Sequence, residues 1–174
     1  MKLVLGSSSR WRQSLLRQRG IPHTVLVADI DEKAVQVPGC SDRDTTDPSL
    51  LTIAIAEAKA DAIMQKMKEN AMDQEEQWLI TSDQVVWYDG RVREKPRDAE
   101  EAREYLHSYA ISPAVTVTAI CITVCGGDRH GHRISKVDRA TQRFEPIPDA
   151  IIDKVIAIVS RTIKSSMIAT IANH

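Results

Sequence analysis

Residues 79–96 read LITSDQVVWYDGRVREKP, and this stretch decides how the rest of the chain is organised. Leu79-Ile80 and Val85-Val86-Trp87-Tyr88 are β-prone apolar runs, with the polar residues Asp83 and Gln84 between them. Asp89-Gly90 then turns the chain: both residues tolerate positive φ, and Asp-Gly between two such runs is a strong hairpin signal. The pattern predicts Asp83 where a strand emerges from the core and Lys95 just beyond the returning strand. A carboxylate and an ammonium are thereby brought to neighbouring places on rigid elements, which suits the handling of a charged substrate. An Asp83 that only caps a turn, with Lys95 solvated, fits the same spacing.

Toward the N-terminus, residues 1–20 read as a short buried strand (Leu3-Val4-Leu5), a small polar loop (Gly6-Ser7-Ser8-Ser9) and a helix stopped by Gly20. Trp11, Leu15 and Leu16 are expected to face the core. Gly-Ser-Ser-Ser between strand and helix gathers backbone N–H groups, hydroxyls and the positive helix end, an arrangement that binds anions, and Arg12 can add a bidentate clamp. Serines that only cap the helix explain the same residues. Gly-Lys-Ser/Thr is absent, so the loop is not a Walker loop. Residues 23–32 predict a second strand ending in Asp29, Asp31 and Glu32, carboxylates that can hold a divalent ion through oxygen or simply form a solvated turn. Residues 36–47 lack periodicity and predict a loop. Asp47-Pro48 starts a long helix to about residue 70, with Leu51, Ile55, Ala58, Ala62 and Ile63 expected inward and Lys59 on its alanine-rich middle.

Toward the C-terminus, Asp98 and Glu101 form a capping box for a helix reaching about Tyr109. Residues 114–125 are a long β-branched run that pairs with 133–145 across GGDRHG as an antiparallel hairpin. Cys121 and Cys125 sit four apart on one face and match no common zinc spacing, so they read as small core residues. Pro148-Asp149 opens a last helix with Ile151, Ile152, Val155 and Ile158-Val159 as its apolar side, and the tail SSMIATIANH is a candidate closing strand.

Composition narrows the function. The 174 residues suit one domain, or one domain with a cleft between two lobes, and a 43% hydrophobic content supplies a core. A formal charge of −1 and only 4% aromatic residues argue against a nucleic-acid or membrane surface. No apolar run approaches the ~20 residues of a membrane span, and the N-terminus does not read as a signal peptide. Three cysteines fit a reducing compartment, so the cytoplasm is the expected location.

Four segments in register resemble the Maf family of nucleoside triphosphate pyrophosphatases: LGSSSRWRQSLLRQRGI from residue 5, ADIDE (28–32), IAEAKADAI (55–63) and TSDQVVWYDGRVREKPRDAEEAREYL (81–106). A weaker match runs on to about residue 152. Trp11 between two arginines, with Ser82-Asp83-Gln84, looks closer to the branch acting on 7-methyl-GTP than to the one acting on dTTP and UTP. Three departures stand out: Ala110-Ile111 replaces the family's Ser-Gly, Glu94 replaces its Gly before Lys-Pro, and its C-terminal motifs are not recognisable in 153–174.

The resemblance implies an α/β fold, a mixed twisted sheet flanked by helices on both sides with a nucleotide cleft between two lobes, as one domain over 1–174. It implies hydrolysis between the α- and β-phosphates, releasing the monophosphate and pyrophosphate. Ser7, Ser8 and Arg12 are then expected to bind phosphate, with Lys59 and Lys95 as point charges. Asp83 would be general base or, with Glu32, metal ligand, and Trp11 or Gln84 would contact the base. Mg²⁺ (or Mn²⁺) is the expected ion and a homodimer the expected assembly. Alternatives are a dTTP/UTP pyrophosphatase and a non-catalytic nucleotide-binding regulator.

Overall fold

The structure is a computed structural model that describes residues 2–159. The central hairpin forms as its sequence dictates. Strand β3 (Gln77–Tyr88) turns through Asp89 and Gly90, at φ 48° and 75°, into β4 (Arg91–Arg93). Ahead of it come β1 (Lys2–Gly6), α1 (Arg10–Gln18), β2 (Thr24–Val25) and α2 (Pro48–Glu69). After it come α3 (Ala99–Ser108), β5 (Ala114–Cys125) and β6 (Arg133–Gln142), and residues 149–159 are helical. The expected closing strand in the tail lies outside the described residues.

The strands form one mixed sheet in the order β2-β1-β3-β5-β6, with β4 also on β3. β1 runs parallel to β2 and β3, while β3, β5 and β6 are antiparallel neighbours. Side chains alternate along β3, so Leu79, Thr81, Asp83 and Val85 share the face that α2 covers, and Ser82, Gln84 and Val86 take the other. α2 begins under an Asp47 cap whose carboxylate accepts from the Ser49 and Leu50 N–H groups, with Pro48 in the first turn. It packs Ala56, Ala60, Ile63 and Met67 against Val4, Leu79, Ala119 and Cys121. A second cluster of Leu51, Ile55, Val85, Val92 and Val117 fixes the hairpin.

Several expectations change. Ala58 and Ala62 are half-buried, and the inward stripe of α2 is Ala56 and Ala60; a run of alanines offers no polarity contrast to set its phase. α1 buries no residue, and Trp11 and Leu15 are 74% and 46% exposed instead of facing the core. Of 23–32 only Thr24–Val25 is strand, at the outer edge of the sheet. Ile152 is buried, but Ile151, Val155 and Val159 of the last helix are exposed. Cys121 and Cys125 lie in the core as read, and burial pushes the Cys125 thiol up to about 11, so it stays protonated. No helix among the described residues is long and apolar enough to cross a membrane.

Candidate active site

One edge of β3 is paired throughout by β5, from Gln77↔Cys125 to Trp87↔Val115. The other edge is paired twice and left open between. β1 ends at Gly6↔Thr81, and β4 begins only at Val86↔Arg93. Ser82, Asp83, Gln84 and Val85 therefore border a gap in the ladder, and a cleft of about 900 Å³ fills it. Asp83, expected where a strand emerges from the core, is instead buried in the middle of β3, and the strand that ends beside it is β1. Gly6 permits this close junction, because a Cβ there would lie 2.6 Å from Thr81 Cγ2 and 2.7 Å from Ile63 Cδ1.

The cleft collects charge from elements far apart in sequence. Asp83, only 7% exposed, projects toward α2, where Lys59 meets it with Nζ 2.8 Å from Oδ1. The same ammonium lies 3.1 Å from Glu32 Oε1, brought in by a 3-10 turn over Glu32–Ala34. Lys59 therefore sits between a buried and a half-exposed carboxylate. Its single charge orients both, and among the described residues no other cation pairs with Asp83.

At the other wall, Ser9 caps α1, and its side chain accepts from the Arg12 N–H. Ser7 Oγ accepts from the Ser9 N–H and from Arg12 Nη1, both at 3.2 Å, so its own hydroxyl proton remains to be donated. Arg12 Nη1 also reaches the Ser82 carbonyl at 3.5 Å, joining the serine loop to the open edge of β3. Ser7, Ser8 and Ser9 thus bring the capped N-terminus of α1 to the cleft wall.

The cleft wall carries six cations (Arg12, Lys33, Lys59, Arg93, Lys95 and Arg97) against three carboxylates (Glu32, Asp83 and Glu94). In a chain of formal charge −1 this is a local positive surplus. Two of the carboxylates are engaged by Lys59, and Glu94 accepts a forked pair of bonds from Arg43. Arg97 pairs with Glu101. Arg12, Lys33 and Lys95 have no carboxylate partner among the described residues. Such a wall is made for a polyanion.

Of the residues singled out in the sequence, Ser7, Ser8, Arg12, Glu32, Lys59, Asp83, Gln84 and Lys95 all line this cleft. Trp11 does not; its ring stands in solvent on α1. Arg93, Glu94 and Lys33 were missed. The alternation Arg91-Val92-Arg93 after the turn was the available signal, since a buried Val92 forces both neighbours to the opposite face. The donor set of Glu32 and Asp83 suits a divalent cation only in part. Two carboxylates fit a hard ion bound largely through substrate phosphates and water, and no cluster of three or more His, Cys, Asp or Glu exists among the described residues.

The chain is 39% identical over 155 residues to the 7-methyl-GTP pyrophosphatase of Dictyostelium discoideum, an alignment covering 88% of this chain and 73% of that protein. It is 34% identical over 151 residues to the nucleoside triphosphate pyrophosphatase of Streptomyces coelicolor, covering 86% and 66%. Among solved structures it is similar to a HAM1 protein from Coxiella burnetii, with a TM-score of 0.43, 14% identity, and 80% and 71% of the two chains covered. The family model described as Maf-like protein matches residues 2–165, and the chain belongs to that family.

Proposed function

We propose that this protein is a nucleoside triphosphate pyrophosphatase that hydrolyses the α–β phosphoanhydride of 7-methyl-GTP-like nucleotides. The observation that carries the reading is the Lys59 ammonium locking Asp83 at 2.8 Å in a cleft where Arg12 and Lys95 have no carboxylate partner among the described residues. A triphosphate brings about four negative charges near neutral pH and requires such donors. Its oxygens bind the Ser7 and Ser8 hydroxyls and the α1 amides, with Arg12 as a fork and Lys95 as a point charge.

Asp83 supplies the remaining chemistry. Its Oδ1 is held by Lys59, and the carboxylate either accepts the proton of the attacking water or ligates a divalent ion together with Glu32. When bound, that ion (Mg²⁺ or Mn²⁺) neutralises phosphate charge. As water adds, one P–O bond forms and the α–β bridge breaks, and the charge left on the pyrophosphate oxygen falls among the cations of the wall. Gln84, exposed on the face of β3 opposite Asp83, contacts the base. The same reading includes a cytoplasmic homodimer.

A preference for dTTP and UTP is the second reading, favoured by one observation: Trp11, one of the two residues whose resemblance points to the 7-methyl-GTP branch, stands outside the cleft. The test is pyrophosphate release from 7-methyl-GTP, GTP, dTTP, UTP and CTP with Mg²⁺, beside Asp83→Asn. Release led by 7-methyl-GTP and abolished in the variant is expected. A dTTP/UTP ranking selects the second reading, and tight nucleotide binding without release by the folded protein overturns both in favour of a binding regulator.

A further inference from the structure

Arg93 is held in an unusual setting for a cation on a cleft wall. Its guanidinium carbon lies 3.8 Å from the Tyr88 ring centroid, 4.3 Å from that of Tyr105 and 5.3 Å from that of Tyr109. Nη1 donates to Ser108 Oγ at 2.7 Å, and Ser108 in turn donates to the Tyr105 carbonyl. Tyr88 is itself anchored through its hydroxyl to the Ser108 carbonyl at 2.6 Å. No carboxylate among the described residues neutralises the group. Of the five N–H donors a guanidinium carries, Nε and both on Nη2 have no partner among the described residues. Since no buried side-chain nitrogen there lacks a partner, this edge is open to solvent, on a residue that lines the cleft.

Its place along β3 says what it meets. Gly6 pairs with Thr81 and Arg93 with Val86, five residues further on, a separation of about 17 Å along the strand. With the phosphates at the Ser7 and Arg12 end, the base lies toward Val86. There Arg93, Gln84 and Val86 share one face of the hairpin.

We propose that Arg93 is a specificity-determining residue that selects bases bearing an oxo group (O6 of a guanine-type purine, O4 of a uracil-type pyrimidine) over the amino-bearing bases adenine and cytosine. A guanidinium has donors and no acceptor, so it bonds an oxo oxygen and leaves an exocyclic amino group facing another donor. The tyrosine rings fix its plane, so little freedom is lost on contact. Methylation at N7 leaves O6 untouched, so 7-methylguanine belongs to the selected class. The inference rests on the pyrophosphatase reading for the direction in which substrate lies.

The test compares Arg93→Gln and Arg93→Lys with the unaltered protein. Gln can accept as well as donate, whereas Lys, like Arg, only donates. The readout is the ratio of kcat/KM for UTP over CTP and for GTP over ATP. The unaltered protein is expected to favour the oxo base at least 10-fold, Lys to keep most of that ratio, and Gln to lower it by roughly 10- to 100-fold. A purely structural role would slow all four substrates alike, and a ratio unmoved in Arg93→Gln overturns the proposal. Binding of the α,β-methylene analogues of UTP and CTP, measured by calorimetry, runs beside it. If no triphosphate is turned over, the pyrophosphatase reading fails. The analogue affinities then judge Arg93 alone: an oxo preference lost in Arg93→Gln supports the selection, and equal affinities refute it.

Discussion

Lys59 is shared by two carboxylates in the cleft, and that sharing has a thermodynamic signature. Its side chain is 12% exposed and that of Asp83 10%, so their contact is screened little by water. Glu32, at 51% exposure, contributes less through its own contact, about 1 kcal/mol or below. Asp83→Asn keeps the shape and removes the charge, but Lys59 still has Glu32, so the expected loss is that of one charged hydrogen bond, about 1.5–3 kcal/mol. Glu32→Gln leaves Lys59 on Asp83 and costs little. The double variant strands the ammonium in a nearly buried position, where an unpaired charge costs roughly 3–5 kcal/mol. The double loss should therefore exceed the sum of the singles by about 1 kcal/mol or more, the sign of two groups serving one partner. Urea denaturation of the four proteins reads this directly. Additivity within about 0.5 kcal/mol would show that Lys59 does not depend on the pair and would refute the arrangement described here. Activity separates the two carboxylates further, since Asp83→Asn alone should lower kcat by about 10²–10⁴ if it handles the proton.

Four other outcomes follow from the structure. Arg12→Ala should reduce kcat/KM by about 10²–10³, as expected for one preorganised donor, without lowering the denaturation midpoint appreciably. Trp11→Arg should leave the ranking of 7-methyl-GTP against UTP unchanged, because the ring is 74% exposed outside the cleft; a reversed ranking in the pyrophosphate assay would return Trp11 to the base site. Gly6→Ala should cost about 1–3 kcal/mol in urea denaturation, since the new Cβ meets Thr81, Ile63 and the Ile80 carbonyl in a packed junction. Asp47→Ala should cost about 1 kcal/mol at neutral pH through loss of the α2 cap. Burial raises the Asp47 pKa, but the Ser49 and Leu50 N–H groups and Arg139 outweigh it and hold it below the ordinary aspartate value of 3.8. A depressed folded pKa means the contribution is whole above 3.8 and fades as pH falls through the folded value, so the two proteins should converge in stability only in strong acid.

What could be read in the sequence was what local chemistry determines. Asp89-Gly90 predicts its turn because two positive-φ positions leave few choices, and Asp47 and Asp98 predict helix starts because a capping carboxylate acts within three residues. The α1 face was misread for the opposite reason: whether Trp11 and Leu15 are covered depends on what packs over α1, and no residue of α1 is buried. The 23–32 strand shrank to Thr24–Val25 because an edge strand is only as long as its pairing with β1. The parallel β1–β3 pairing joins segments some seventy residues apart and leaves no periodic trace, yet it creates the gap in which Asp83 sits. Eight of the residues that line the cleft could be named from motifs in register, while their arrangement could not. Asp83 gained its position because its neighbour β1 stops at Gly6, where any side chain would collide with Thr81. A glycine that ends one strand thus opens the edge of another. The carboxylate placed at that opening is the one Lys59 reaches from α2, so the sheet's topology, more than any single motif, assembles the site.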